Sequence, residues 1–213
     1  FPHSERSPYL YIKTNQMLYS ILRRIARMSL NLYFRRIDVI GEENVPENGP
    51  VIFVANHPSA LIDPTTIATT LKREIHFLAG ANWFGKGMKA RFLKNKLNMI
   101  PVHRPWLSKK KEVVSNDEMF KECYKSLDLD NCIILFPEAS STTVSKIREL
   151  KTGAVRIKAG FEEYTNQTKR VPIIPIGLSY SNPHEFQSRV VVKIGEPIIF
   201  DSSEKTEDLA ELY

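Results

Sequence analysis

The chain has 213 residues, 42% of them hydrophobic and 25% charged, which is enough for one substantial domain with its own core and too few for two. That composition argues against wholesale disorder. Two cysteines, Cys123 and Cys132, with no CxxC pair and no His/Cys cluster, argue against a disulfide scaffold or a structural zinc site. A net charge of +6 and a pI near 9.2 suit an anionic partner, which can be a membrane surface, a phosphorylated substrate or a nucleic acid.

From about Tyr9 to Tyr33 the pattern is helical. Leu18, Ile21, Leu22, Ile25, Met28 and Leu32 recur at three- and four-residue steps, with Arg23, Arg24 and Arg27 on other faces. Two readings stand for this basic amphipathic segment, residues 1–33. It is either a helix packed on the core, or one lying in a membrane interface with arginines at the headgroups and Tyr9, Tyr11, Tyr19 and Tyr33 near the boundary. No stretch reaches the roughly 18 apolar residues of a spanning helix, and no signal peptide is visible. The first residue is Phe1, so such segments can belong to a longer protein.

Phe34 to Ile40 fits a strand, and Gly41 to Gly49 a polar loop. The apolar run Val51-Ile52-Phe53-Val54-Ala55 then reads as a buried strand that stops at Asn56-His57-Pro58. His57 therefore stands at a strand end, where open α/β sheets place their chemistry. On a helix the six residues to Asp63 would turn the chain by about 600°, leaving the two on different faces, so they meet only across a loop. Pro58 disfavours helix at His57, and Asp63-Pro64-Thr65-Thr66 reads as a helix start with Asp63 as N-cap and Pro64 at the first helical position. Facing one cleft, the pair makes a general base, because a carboxylate on one imidazole nitrogen fixes the tautomer and raises the basicity of the other. The bland alternative is a capping Asp63 and a His57 that merely closes a strand.

Thr65 to Lys72 continues as helix, and Ile75 to Ala79 forms a second core strand. Asn82 to Leu97 mixes Trp83, Phe84, Met88 and Phe92 with Lys86, Lys89, Arg91, Lys94 and Lys96. That is either a solvated face over a core stripe or a segment facing membrane or acyl chain. A strand from Asn98 to Val102 delivers Ile100-Pro101-Val102-His103-Arg104. Lys109-Lys110-Lys111 precedes a helix around Glu112 to Leu127, and Cys132 to Phe136 is a compact strand ending in Phe136-Pro137-Glu138-Ala139-Ser140-Ser141. In Leu150-Lys151-Thr152-Gly153-Ala154-Val155-Arg156-Ile157, Thr152 can cap a helix running to about Tyr164, and a helix start suits an anion, with Lys151 beside it. Val171-Pro172-Ile173-Ile174-Pro175-Ile176-Gly177 is a proline-broken apolar strand. Tyr180 to His184 turns the chain, Arg189 to Ile194 alternates as a closing strand, and the acidic tail from Asp201 begins a helix. Strands alternating with helices from 34 to 200 predict an α/β fold: a mixed, largely parallel sheet flanked by helices, with the N-terminal amphipathic helical segment added.

Asn56-His57-Pro58 with Asp63-Pro64, Ile100 to Arg104, Phe136 to Ser141 and Val171 to Gly177 stand in an order that resembles the four motifs of the glycerolipid acyltransferases, the glycerol-phosphate and lysophospholipid acyltransferase family. Leu150 to Ile157 resembles the segment joining the third and fourth motifs in bacterial members. The likeness covers roughly 30 to 200, which makes 34–213 the acyltransferase domain. It implies His57 and Asp63 as the catalytic pair, Arg104 on the phosphate of the acceptor, and Glu138, with Ser140 beside it in the third motif, on the substrate. Lys151 is a weaker phosphate candidate, and the fourth motif lies on the acyl-donor side. Arg104 suits its role because a planar guanidinium holds two phosphate oxygens and stays charged. Two departures stand out. Ala139 takes the place of a glycine, and five residues, Pro58 to Ile62, separate His57 from Asp63 where four are usual, as in some bacterial and fungal glycerol-phosphate acyltransferase relatives.

The resemblance implies transfer of an acyl group from acyl-CoA or acyl carrier protein to a glycerolipid hydroxyl, in phospholipid biosynthesis. The acceptor is first 1-acyl-glycerol 3-phosphate (lysophosphatidic acid), then glycerol 3-phosphate, then another lipid hydroxyl. It implies no cofactor and no metal, tips residues 1–33 toward the membrane-interface reading, and implies association with the cytoplasmic face of a membrane, peripheral or through segments outside this sequence. A non-catalytic basic lipid-binding module of the same fold is the alternative. The scattered cations, with no interleaved aromatic motif, speak against nucleic acid.

Overall fold

Seven strands form one sheet in the computed structural model, which describes residues 8–85, 87–103, 116–138 and 150–200, and of 8–16 the backbone only. In chain order they are β1 (Arg36–Ile40), β2 (Val51–Ala55), β3 (Ile75–Gly80), β4 (Met99–Val102), β5 (Cys132–Leu135), β6 (Ile173–Tyr180) and β7 (Arg189–Ile194). Across the sheet the order is β1-β7-β6-β2-β5-β3-β4, and among these described strands β6 and β7 pair antiparallel while the other neighbours run parallel. The expected mixed, largely parallel sheet flanked by helices is the one found.

Among the described residues the α-helices that cover it are α1 (Pro8–Tyr33), α2 (Ile62–Thr70), α3 (Met88–Lys96), α4 (Asp117–Asp128) and α5 (Gly153–Tyr164). Because neighbouring side chains of a strand point to opposite faces, β2 sends Val51, Phe53 and Ala55 into one core and Ile52 into the other. The first core is closed by Leu30 of α1 and Ile67 of α2; the second by Cys123 and Leu127 of α4 and Ile157 and Phe161 of α5. Burial on both faces explains why β2 and β5 read as unbroken apolar runs rather than alternating ones.

The differences from expectation have local causes. β1 starts at Arg36 because Phe34 is swallowed by the core at the end of α1. β6 runs on to Tyr180 because Gly177, Leu178 and Ser179 find partners on β7. Asn82 to Leu97 is split: a 3-10 turn at Ala81–Trp83, then α3 from Met88. Asp63 does not cap α2, whose first residue is Ile62, and Pro64 is its third residue rather than its first. The sharp turn between β2 and α2 has Ala60 at φ 32°, a strained value for a residue with a Cβ.

The periodicity of α1 holds, with its faces now assigned. Tyr19 and Leu30 are buried, and Arg23 donates to the carbonyl oxygens of Leu71 and, at 3.3 Å, Lys72 at the end of α2. Met17, Ile21, Ile25, Met28 and Leu32 point away from the protein, 44 to 73% exposed. No helix among the described residues is long and apolar enough to cross a membrane. Lys86, Lys109 to Lys111, Ala139 and the tail from Asp201 lie outside the described residues, as do the side chains of Tyr9 and Tyr11.

Candidate active site

His57 follows β2, and Asn56 fixes where the strand stops. Its side-chain amide accepts from the backbone N–H of Leu178 at 2.7 Å and donates to the Leu178 carbonyl at 2.9 Å, so it continues the β2/β6 ladder by one residue with a side chain. The chain then turns, and Asp63, in the first turn of α2, reaches back. Its Oδ2 lies 2.8 Å from Nδ1 of His57 and accepts the backbone N–H of Ser59 at 2.6 Å; its Oδ1 accepts the hydroxyl of Tyr180 at 2.7 Å. Asp63 is fully buried and sits at a helix N-terminus, two reasons for its carboxylate to be held tightly: the partners are dry, and the helix dipole favours an anion there.

The imidazole, 17% exposed, stacks on Phe136 with ring centroids 4.1 Å apart and planes at 20°. With Nδ1 turned to the carboxylate and one face covered, Nε2 is left as the nitrogen that can accept a proton. Glu138, just after β5, accepts the backbone N–H of His57 at 3.1 Å, which ties the ends of β5 and β2 together.

Beside the ring opens a cavity of about 1020 Å³, at the upper limit of ordinary substrate pockets. Leu22 and Ala26 of α1, Ala68 of α2, Phe77 of β3 and Leu93 of α3 give it a mostly apolar wall, with Arg23 and Lys89 among them. Lys151, Arg156 and Thr152 at the start of α5 give it a polar one. Arg156 also lies over the ring of Phe120, 4.9 Å from its centroid. Thr152 occupies the N-cap of α5 as expected, but its hydroxyl makes no cap bond, so the first amides of the helix are not covered by it.

Of the six residues singled out from sequence, the structure brings His57, Asp63 and Glu138 into one hydrogen-bonded group and sets Lys151 in the wall of the same cavity. Arg104 and Ser140 lie outside the described residues. Sequence reasoning passed over Tyr180, Phe136 and Arg156. For Tyr180 a signal existed: alternation carried past Gly177 puts Ile176, Leu178 and Tyr180 on one face of β6, the face of α2. Both cysteines are buried, and burial pushes the thiol of Cys123 up to about 12 and that of Cys132 up to about 11, so neither is a ready nucleophile.

Fold and site together define an α/β protein with a buried-aspartate histidine at the carboxyl ends of its parallel strands. A family model described as Acyltransferase matches residues 36–179, and the chain belongs to that family. Among curated proteins it is similar to two from Saccharomyces cerevisiae. Glycerol-3-phosphate O-acyltransferase 2 is 33% identical over 42% of this chain and 12% of that protein; glycerol-3-phosphate O-acyltransferase 1 is 24% identical over 87% and 35%. The chain thus spans about a third or less of the length of these relatives. Among solved structures, the 1-acyl-sn-glycerophosphate (LPA) acyltransferase PlsC from Thermotoga maritima superposes with a TM-score of 0.64. At 20% identity, with 94% of this chain and 77% of that one covered, it shares the fold.

Proposed function

We propose that the protein transfers a fatty acyl group from a thioester, acyl-CoA or acyl carrier protein, to a hydroxyl of a phosphorylated glycerol, with 1-acyl-glycerol 3-phosphate as the first acceptor. The observation that carries this reading is the 2.8 Å contact between Nδ1 of His57 and the buried carboxylate of Asp63, with the ring beside the cavity. His57 Nε2 takes the proton of the acceptor hydroxyl as its oxygen attacks the thioester carbonyl. The tetrahedral intermediate collapses, the C–S bond breaks, and the imidazolium returns the proton to the leaving thiolate. Asp63 holds the tautomer and offsets the imidazolium charge. Lys151, Arg156 and Arg104 are the cations for the phosphate. Glu138 keeps the His57 turn in place and is a group that can orient the glycerol end, with Ser140 near it in the chain. The apolar wall suits an acyl chain.

A second acceptor, glycerol 3-phosphate, is favoured by the names of the two yeast relatives. Membrane association is part of the proposal, since a lipid acceptor must be reached in a bilayer, and the exposed stripe of α1 with Arg24 and Arg27 beside it suits an anionic surface.

The test is turnover of both acceptors with both donors on phospholipid vesicles, beside His57→Ala. The variant is expected to lose at least about 10²-fold in kcat. Undiminished turnover by His57→Ala overturns the mechanism; a folded wild-type protein inert toward every acceptor favours the lipid-binding module.

A further inference from the structure

Tyr180 is the last residue of β6, 117 positions from Asp63 in sequence, yet its hydroxyl donates to Oδ1 of that carboxylate at 2.7 Å. Oδ2 serves Nδ1 of His57 and the N–H of Ser59, so three donors converge on one buried anion. The phenol ring is itself held, 5.7 Å from the ring of Phe34. We propose that Tyr180 is a positioning residue that sets the basicity of His57, by taking up part of the Asp63 charge and by fixing the rotation of that carboxylate. The inference rests on the reading of His57 as the general base.

The physical argument is a division of charge. In a dry pocket a neutral O–H donor polarises toward a carboxylate and lowers the field the anion exerts on its other neighbours. Without that donor, more of the aspartate's attraction falls on the imidazolium, whose proton is then held more tightly. The base is protonated over a wider range of pH, and less of it is competent near neutrality. Burial, followed by the neighbouring charge of Asp63, pushes the Tyr180 phenol well above its ordinary range, so it remains a donor throughout the interval in which an imidazole titrates.

The other charged and titratable groups around the ring come from several elements. Glu138 follows β5 and accepts the His57 N–H. Around the cavity stand Tyr19 and Arg23 of α1, Lys89 of α3, His103 after β4, Asp117 of α4, and Lys151 and Arg156 at α5. Replacing Tyr180 by phenylalanine alters none of them and keeps the ring against Phe34, so a change in the titration of the base reports on the lost O–H.

The experiment is the pH profile of kcat/KM for wild type, Tyr180→Phe and His57→Ala, together with wild-type protein carrying 3-fluorotyrosine at position 180, a stronger donor of nearly the same size. Tyr180→Phe is expected to move the acid limb up by about 0.5 to 1 pH unit, to lose roughly three- to tenfold at pH values well below the limb, and to recover most of that loss in alkali. The fluorinated protein is expected to move the limb down, and it decides alone if the phenylalanine variant does not fold. An acid limb that stays at the wild-type position overturns the proposal, whether the rate is unchanged or lowered equally at every pH. A fully active His57→Ala removes the reading beneath it, an outcome distinct from an unmoved limb in proteins that still need His57.

Discussion

Asp63 is where one atom-level change reaches furthest. Its two oxygens join a strand-end histidine, a turn and the far end of β6, so Asp63→Asn replaces an acceptor with a group that also donates. The amide cannot serve three donors and cannot offset an imidazolium. Turnover is expected to fall by at least about 10²-fold, measured as kcat with the fold monitored by circular dichroism. Asn56→Ala acts differently. It strips partners from both backbone groups of Leu178, and a loss of about 1 to 3 kcal/mol in urea unfolding is expected, with turnover falling only as far as His57 shifts. At this scale the sequence was legible wherever chemistry is written in a motif. His57 and Glu138 announce themselves by residue type at strand ends, and Asp63 by its place in the same motif as His57. Tyr180 shows by alternation only which face of β6 it shares, because a strand-final tyrosine looks the same whether it meets an aspartate or solvent. The role of Asp63 as helix cap was a misreading, because Asp-Pro at a helix start is a local pattern, whereas the carboxylate turns back to His57 and the Ser59 N–H and, across the fold, to Tyr180.

Among the elements, α1 and α5 carry opposite lessons. The three- and four-residue spacing of α1 was plain in sequence, yet it could not say which apolar residues face the core, since the helix has apolar groups on both sides. Replacing Ile25 and Met28 by aspartate should leave the melting temperature nearly unchanged, because both side chains are exposed. Flotation with anionic vesicles should fall at least about tenfold if that stripe docks on lipid. In α5, Lys158 and Glu162 are buried and paired at 2.5 Å; Glu162 also accepts the N–H of Val171 at 3.2 Å and Arg170 at 3.2 Å. Two ionic residues one turn apart read on paper as an exposed pair. Here they are inside because the chain entering β6 crosses over them, a tertiary fact with no local signature. Lys158→Met leaves Glu162 short of its closest cation and is expected to lower stability by about 3 to 5 kcal/mol in chemical denaturation.

For the molecule as a whole, acid is the condition to vary. Burial lowers His76, on β3, from its ordinary value to about 4. The unfolded chain therefore binds a proton that the native protein refuses, and the stability present above about pH 6.5 is lost progressively as pH falls toward 4. The loss from this group is on the order of 2 to 3 kcal/mol, and His76→Phe should flatten that interval of the stability-versus-pH curve. Fold class was legible at this scale because helical and strand periodicities alternate along the chain. The lateral order of strands was not, since nothing in the sequence of β2 says that its neighbours are β5 and β6. That order has a consequence in time. β1 lies at one edge of the sheet and pairs only with β7, the last strand described. On a ribosome adding roughly 5 to 20 residues per second, the first strand emerges many seconds before its partner exists, while the outer stripe of α1 is already outside the exit tunnel. A nascent chain of this design waits with an unzipped border, and a bilayer or chaperone near the exit would meet α1 before the sheet is closed.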